Sequence, residues 1–269
     1  MKVLYVAEIV GKAGIACCKK ALMETKTATG ADFVIACADG ATTGNGLGRS
    51  HAAYLRKLGA DVLTMGECCF YKKDLTENFN SIPYVLRPAN LASSAPGTGA
   101  RVYKTSNGQK LAVAVLLGQS HFNKVHADNP FQRLPVLLEQ LHAETPFVIV
   151  EFHAEATAEK LALFALAAGK ASAVIGSHTR VQTADNKILK TTAVITCAGR
   201  TGSIDSSGGC NAASKINSYI SGIPDWSYPA WDRCELQGVL VDLDERGAAV
   251  SIERIRKSVS GITPENSGG

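Results

Sequence analysis

Five positions in this chain put metal-ligating side chains directly after short apolar runs. Glu8 follows VLYV, Asp39 follows FVIA within ADGATTGNG, and Glu67 follows VLTM in the stretch MGECC, with Cys68 next to it. His153 closes the run ending VEFH, and His178 follows AVI in IGSHTRVQTAD. A single carboxylate at such a place usually caps a helix or a turn, and a lone histidine is usually a satisfied structural group. Three acids and two imidazoles all leaving strand ends point elsewhere. Oxygen and nitrogen donors in this mixture suit a zinc, manganese or iron ion acting as a Lewis acid. Two further acids, Glu151 and Glu155, flank His153. Either can orient its ring from behind or be a plain surface acid.

Other chemistries find little support. GNGLGRS has neither the G-x-G-x-x-G spacing nor the Walker lysine, and the chain has no G-x-S-x-G elbow. The eight cysteines include the adjacent pairs Cys17-Cys18 and Cys68-Cys69 but no C-x-x-C, which excludes a zinc ribbon or a thioredoxin motif. Cys68 as a nucleophile lacks a base at any evident spacing, and packing is the simpler role for it.

The elements that must position these residues alternate. Strands are predicted at Val3–Val6, Phe33–Ala36, Val62–Met65, Leu111–Leu117, Phe147–Phe152, Ala173–Ile175, Ala193–Thr196, Val239–Leu243 and Ala248–Ile255. Helical patterns lie at Ile15–Met23, Ala52–Leu58, Phe131–Leu141, Ala158–Ala168 and Ala212–Ile220. Asn129-Pro130 supplies a cap and a first-turn proline, and Pro135 suggests that the regular helix begins a turn later. Strand runs without helices late in the chain fit two stacked sheets better than a Rossmann-like order. The stretch 92–109 reads as a surface loop or hairpin. Residues 1–257 are read as one domain and 258–269 as a flexible tail.

Bulk properties narrow the class. The chain has 269 residues, 46% of them hydrophobic, and a net charge of +4 with no basic stripe for nucleic acid. The apolar start is broken early by Glu8, and no run approaches the roughly 20 residues of a membrane span. A cytoplasmic protein with free thiols is expected.

The stretches IVGKAG (9–14), DFVIA (32–36), ATTGNGLG (41–48), LRPAN (86–90), DNPF (128–131), FHAEATAEK (152–160), HTRVQTAD (178–185), TGSIDS (201–206) and SIERI (251–255) are collinear over nearly the whole chain. In them the chain resembles the YmdB-like metallophosphoesterases, bacterial two-metal phosphodiesterases acting on cyclic nucleotides. The resemblance implies an α/β fold of the αββα four-layer sandwich type, assembled as a homo-oligomer. It also implies a first metal site from an aspartate after strand one, a Glu-Asn pair after strand two, and the second His of H-T-H. Those positions here hold Glu8, Asp39-Gly40 and Arg180. A guanidinium has no lone pair to give a metal and repels a cation beside it, so Arg180 is expected to take that ion's place and pair with Glu8 or Asp39. The second site maps onto Asp39, Glu67, His153 and His178, a set suited to one divalent ion. The family's proton-donating His becomes Cys68. The expectation is a diverged protein with impaired or lost two-metal phosphodiesterase turnover and a binding or structural role, with a nucleotide or phosphodiester as ligand. The alternative is an active phosphodiesterase working with one metal or an altered site.

Overall fold

The structure is a computed structural model describing residues 1–122, 125–223 and 228–264. In chain order its strands are β1 (Lys2–Val6), β2 (Glu8–Ile9), β3 (Phe33–Cys37), β4 (Val62–Thr64), β5 (Val85–Leu86), β6 (Ala100–Lys104), β7 (Lys110–Leu117), β8 (Val148–His153), β9 (Ala173–Ser177), β10 (Lys187–Leu189), β11 (Thr192–Ile195), β12 (Arg200–Ser203), β13 (Cys234–Leu243) and β14 (Ala249–Val259). The helices are α1 (Gly11–Thr29), α2 (Arg49–Lys57), α3 (Lys73–Thr76), α4 (Pro130–His142), α5 (Thr157–Ala167) and α6 (Ala212–Ser221).

The strands form two sheets. One runs β2-β12-β13-β1-β3-β4-β5 with β14 paired to β13, and the other runs β10-β11-β9-β8-β7-β6. Strands β1, β3, β4 and β5 are mutually parallel, as are β7, β8, β9 and β11. The two-residue alternation of each strand assigns its side chains to layers. In β1, Val3 and Tyr5 face the other sheet while Leu4 and Val6 face the helices. In β7, Leu111, Val113 and Val115 point inward, and Ala112, Ala114 and Leu116 point outward. Three of the four apolar clusters among the described residues follow from this layering. The outer ones lie under Ile15, Cys18 and Leu22 of α1 with Ala52 and Leu55 of α2, and under Leu134, Leu138, Leu163 and Phe164 of α4 and α5. The third fills the space between the sheets.

Several expectations shift in detail. Helix α4 begins at Pro130, because Asn129 Oδ1 accepts from the Phe131 N–H at 2.9 Å, and it runs through Pro135 without a delayed start. Of the loop or hairpin expected at residues 92–109, the hairpin is present, with β6 antiparallel to β7. The C-terminal segment is not free from residue 258 onward. Val259 ends β14, Lys20 Nζ donates to the Ser260 and Gly261 carbonyls, and Ile262 packs beside Ala13, Cys17 and Cys234. Positions 265–269 lie outside the described residues. All eight cysteines are unbridged. Among the described residues, no helix is long and apolar enough to cross a membrane.

Ile35 of β3 is fully buried between the sheets, two residues from the carboxyl end that carries Asp39 into the site. Ile35→Ala is expected to lower stability by about 2–5 kcal/mol and Ile35→Val by about 0.5–1.5 kcal/mol, measured by urea unfolding. An alanine variant as stable as the parent would show that this layer does not hold the sheets together.

Candidate metal centre

Both sheets deliver polar residues from the carboxyl ends of their parallel strands, and the side chains meet across the gap between the sheets. Glu67, the third residue of the loop that follows β4, reaches His153 at the end of β8. Its Oε2 is in close contact with His153 Nε2, and its Oε1 lies 3.3 Å from His178 Nδ1. The two imidazoles approach each other at 3.1 Å, Nε2 to Nδ1. Asp39 Oδ2 stands 3.7 Å from His153 Nε2. Glu67, His153 and His178 thus form one group of mutually close donor atoms, and Asp39 joins Glu67 and Cys68 in an adjoining one, across up to 139 positions of sequence.

The ring of His153 is oriented from behind. Ser177 Oγ donates to Glu151 Oε1 at 2.7 Å, so its lone pair is free to accept from His153 Nδ1–H at 2.9 Å. That arrangement places the tautomeric proton on Nδ1 and aims Nε2 into the centre, the support usual behind a metal-binding imidazole. The two acids beside His153 divide their work. Glu151 stands behind His153, whereas Glu155 Oε2 meets His178 Nε2 at 2.9 Å. Gly66 lets the chain pass flat against the His153 ring, on which any Cβ at that position would fall.

Charge is distributed unequally over the cluster. Burial raises the pKa of Asp39 well above the carboxylate range, and the charge on Glu67 adds to the effect. Burial opposes ionisation of Glu67 as well, but the neighbouring His153 and His178 outweigh it and hold that carboxyl below its usual range. For His153, burial opposes a positive charge, yet Glu67 and hydrogen bonds to Cys37 and Glu151 keep its pKa well above the ordinary imidazole value. A partly buried group of two carboxylates and two imidazoles is a donor set that fits one divalent cation.

The neighbouring position is built differently. Glu8 opens β2 and is 1% exposed. Arg180 Nε and Nη2 both donate to Glu8 Oε1, at 2.9 and 2.6 Å. The guanidinium also donates through Nη1 to the Gly208 carbonyl and through Nη2 to the Gly44 carbonyl, each at 3.1 Å. Of the two partners expected for Arg180, Glu8 is the one it contacts. Gly40 makes room for it: a Cβ there would come within 2.9 Å of both Arg180 Nη2 and Glu8 Oε1. Arg180 and His178 both hold positive φ, +58° and +85°, a cost of about 1–3 kcal/mol each for non-glycine residues. Arg200 braces the turn by donating from Nη1 to the Arg180 carbonyl at 2.6 Å. The residues of this position do not fit a metal ion, since a cationic group with no lone pair occupies its carboxylate ligand.

Cys68 is buried and its thiol pKa is pushed far up by burial and by Asp39, Glu67 and Glu8, so it stays protonated. Its contribution is the backbone: the Cys68 and Gly66 N–H groups donate to Asp39 Oδ1 at 3.2 and 2.6 Å. Sequence reasoning did not find Ser177, Cys37 or Phe122. The Phe122 ring packs edge-on to His178 with centroids 4.9 Å apart. Only Ser177 carried a readable signal, as the strand-end residue directly before His178.

The chain is similar to several known proteins. The profile of a family described as YmdB-like protein matches residues 4–255. The chain is 37% identical over 257 residues to the 2',3'-cyclic-nucleotide 2'-phosphodiesterase of Bacillus subtilis (strain 168), covering 95% of this chain and 96% of that one. It is 32% identical over 251 residues to a putative phosphatase/phosphodiesterase of Mycoplasma pneumoniae, covering 91% and 88%. A crystal structure described as a novel phosphatase from Mycoplasma pneumoniae superposes with a TM-score of 0.89 at 31% identity, covering 96% of this chain and 93% of that one. The two sheets and their flanking helices thus form the metallophosphoesterase sandwich.

Glu8 Oε2 is buried without a hydrogen-bond partner, so Arg180 carries the compensation for this carboxylate. Arg180→Met is expected to lower stability by about 3–5 kcal/mol, the usual result of stranding a buried charge. Adding Glu8→Gln should recover a large part of that loss. A single variant with parental stability in urea unfolding would show that the pair is not a structural tie.

Proposed function

The chain belongs to the YmdB-like family, and from that premise we propose that it has lost the two-ion phosphodiesterase mechanism and keeps a one-cation pocket that binds a phosphodiester or nucleotide. The observation that carries this reading is the guanidinium of Arg180 seated on Glu8 in the space left by Gly40. Two-ion phosphoryl chemistry stabilises the attacking and the leaving oxygen with separate cations. Arg180 brings a fixed charge to one of those places, but its N–H groups are committed to Glu8, Gly208 and Gly44. The thiol of Cys68, where the family has an imidazole, is too weak an acid to assist a leaving alkoxide near neutral pH.

Asp39, Glu67, His153 and His178 would hold the remaining cation. A cation bound there supplies Lewis-acid stabilisation to one phosphoryl oxygen. The protein's own contribution is to fix the two imidazoles through Ser177, Glu151 and Glu155. The convergence of these four ligands supports a second reading, a slow phosphodiesterase working with one ion.

Elemental analysis is expected to give one divalent ion per chain, lost in His153→Ala. Turnover of 2',3'-cyclic nucleotides or a bis-aryl phosphodiester is expected to be absent or several orders of magnitude below that of a two-ion enzyme, since each ~1.4 kcal/mol is a factor of ten. Weak turnover that disappears with His153→Ala at one ion per chain would select the second reading. Two ions per chain with rapid turnover would refute both.

The triple variant Glu8→Asp, Gly40→Asn, Arg180→His returns three of the four family-type donors to the first position and leaves the carboxylate of Asp39 in place. It is expected to bind a second equivalent of Mn²⁺ in a calorimetric titration. A variant that folds, keeps one equivalent and gains none would show that more than these three residues separates the chain from two-metal binding.

A further inference from the structure

The adjacent cysteines of α1 face different surroundings. Cys18 packs in the outer layer beneath the helix, with Val34 and Leu63. Cys17 turns into a small separate cluster with Ala13, Ala16, Cys234 and Ile262. Cys234 opens β13, 217 positions further along the chain, and Cys17 and Cys234 are 0 and 4% exposed. Their thiols share a hydrogen bond in which Cys17 is the donor, and the Cys234 S–H donates in turn to the Trp231 carbonyl at 3.3 Å. The bond to Cys234 raises the pKa of Cys17, and burial adds to the rise. The same bond lowers the pKa of Cys234 against the opposing effect of burial. The pair is therefore polarised, with Cys234 the readier thiolate and nucleophile. Trp231, Val259 and Ile262 pack against the cluster, and Lys20 Nζ holds the last of these segments by the Ser260 and Gly261 carbonyls at 2.9 and 2.7 Å. Neither thiol takes part in the metal centre.

We propose that Cys17 and Cys234 are a redox pair, closed by a peroxide into a disulfide that staples α1 to the first residue of β13. The Cys234 thiolate attacks one oxygen of the peroxide, the O–O bond breaks, and the departing hydroxide takes up the proton that Cys234 released. Cys17 then attacks the sulfenic sulfur. An S–S bond forms, the S–O bond breaks, and the second hydroxide leaves with the Cys17 proton. Two thiols and one hydrogen peroxide become one disulfide and two waters, the sulfurs losing two electrons and the peroxide gaining them. A second thiol already in contact intercepts the sulfenic acid before it climbs further up the oxidation ladder. The location gives the staple an effect. α1 starts three residues after Glu8, and its Gly11 N–H donates to the Gly40 carbonyl at 2.9 Å, so the fixed helix is the one that leads out of the Arg180–Glu8 pair. A cross-link between residues so distant in sequence removes freedom from the unfolded chain, which makes the oxidised form the more stable one. The inference does not depend on how many metal ions bind.

The test is a non-reducing peptide map of the full chain after exposure to hydrogen peroxide, read by mass spectrometry. Cleavage after Lys and Arg leaves Cys17 and Cys18 together in AGIACCK and Cys234 in a peptide of its own. The parent is expected to yield these two peptides linked, and dithiothreitol to separate them. The link should persist in Cys18→Ala and vanish in Cys17→Ala, and fragmentation of the linked parent peptides assigns the bond even if a variant fails to fold. Oxidation should also raise the urea midpoint of the parent, reversibly with dithiothreitol. Peptides that stay separate, thiols that go only to sulfinic acid, or a bond assigned to Cys18 would overturn the proposal. So would a Cys17–Cys234 link that leaves the urea midpoint where it was.

Discussion

The ion pair between Arg180 and Glu8 sets the terms for everything near it. A carboxylate 1% exposed needs a positive partner, and in this chain the partner is covalently attached. Two unit charges 4 Å apart interact by about 4 kcal/mol at the effective dielectric of a protein surface, so a cation placed beside the guanidinium meets a repulsion of at least that order. The pair is also a mechanical tie. Through its four donated hydrogen bonds, Arg180 joins β2, the loop at Gly44 and the loop at Gly208. A metal ion could be removed by a chelator or exchanged for another ion. This link cannot.

The two sheets are independent suppliers of the site. One sheet brings Glu8, Asp39 and Glu67, and the other brings His153, His178 and Arg180. The strained turn at 178–180 sends His178 toward Glu67 and Arg180 toward Glu8, so one short segment feeds both positions. Small residues keep the two positions apart. Gly40 admits the guanidinium and Gly66 admits the His153 ring. What remains around Asp39 and Glu67 is a compact cluster whose ligands are oriented through Ser177, Glu151 and Glu155, independently of Arg180.

Much of this was legible in the sequence, and for identifiable reasons. Buried parallel strands read as continuous apolar runs, and a polar residue at the end of such a run is conspicuous, as with His153 after VIVEF. Short strands gave no such signal: β2, β5 and β12 are two to four residues long, too brief for any period to show. The family resemblance carried by FHAEAT and HTRVQTAD pointed to His153 and His178, but whether Glu151 or Glu155 stands behind His153 depended on the third dimension. Alternation along β8 puts Glu151 and His153 on one face, while Glu155 lies past the strand end and reaches His178 instead. The contacts of residues 258–262 were not legible, because small polar residues do not announce the carbonyls that Lys20 meets or the packing of Ile262.

The most direct measurement is anomalous diffraction from crystals grown with Mn²⁺. One peak enclosed by Asp39, Glu67, His153 and His178, with the Arg180 guanidinium on Glu8, is the expected map. Two peaks bridged by Asp39, with Glu8 as a ligand and the guanidinium turned out to solvent, would contradict the account.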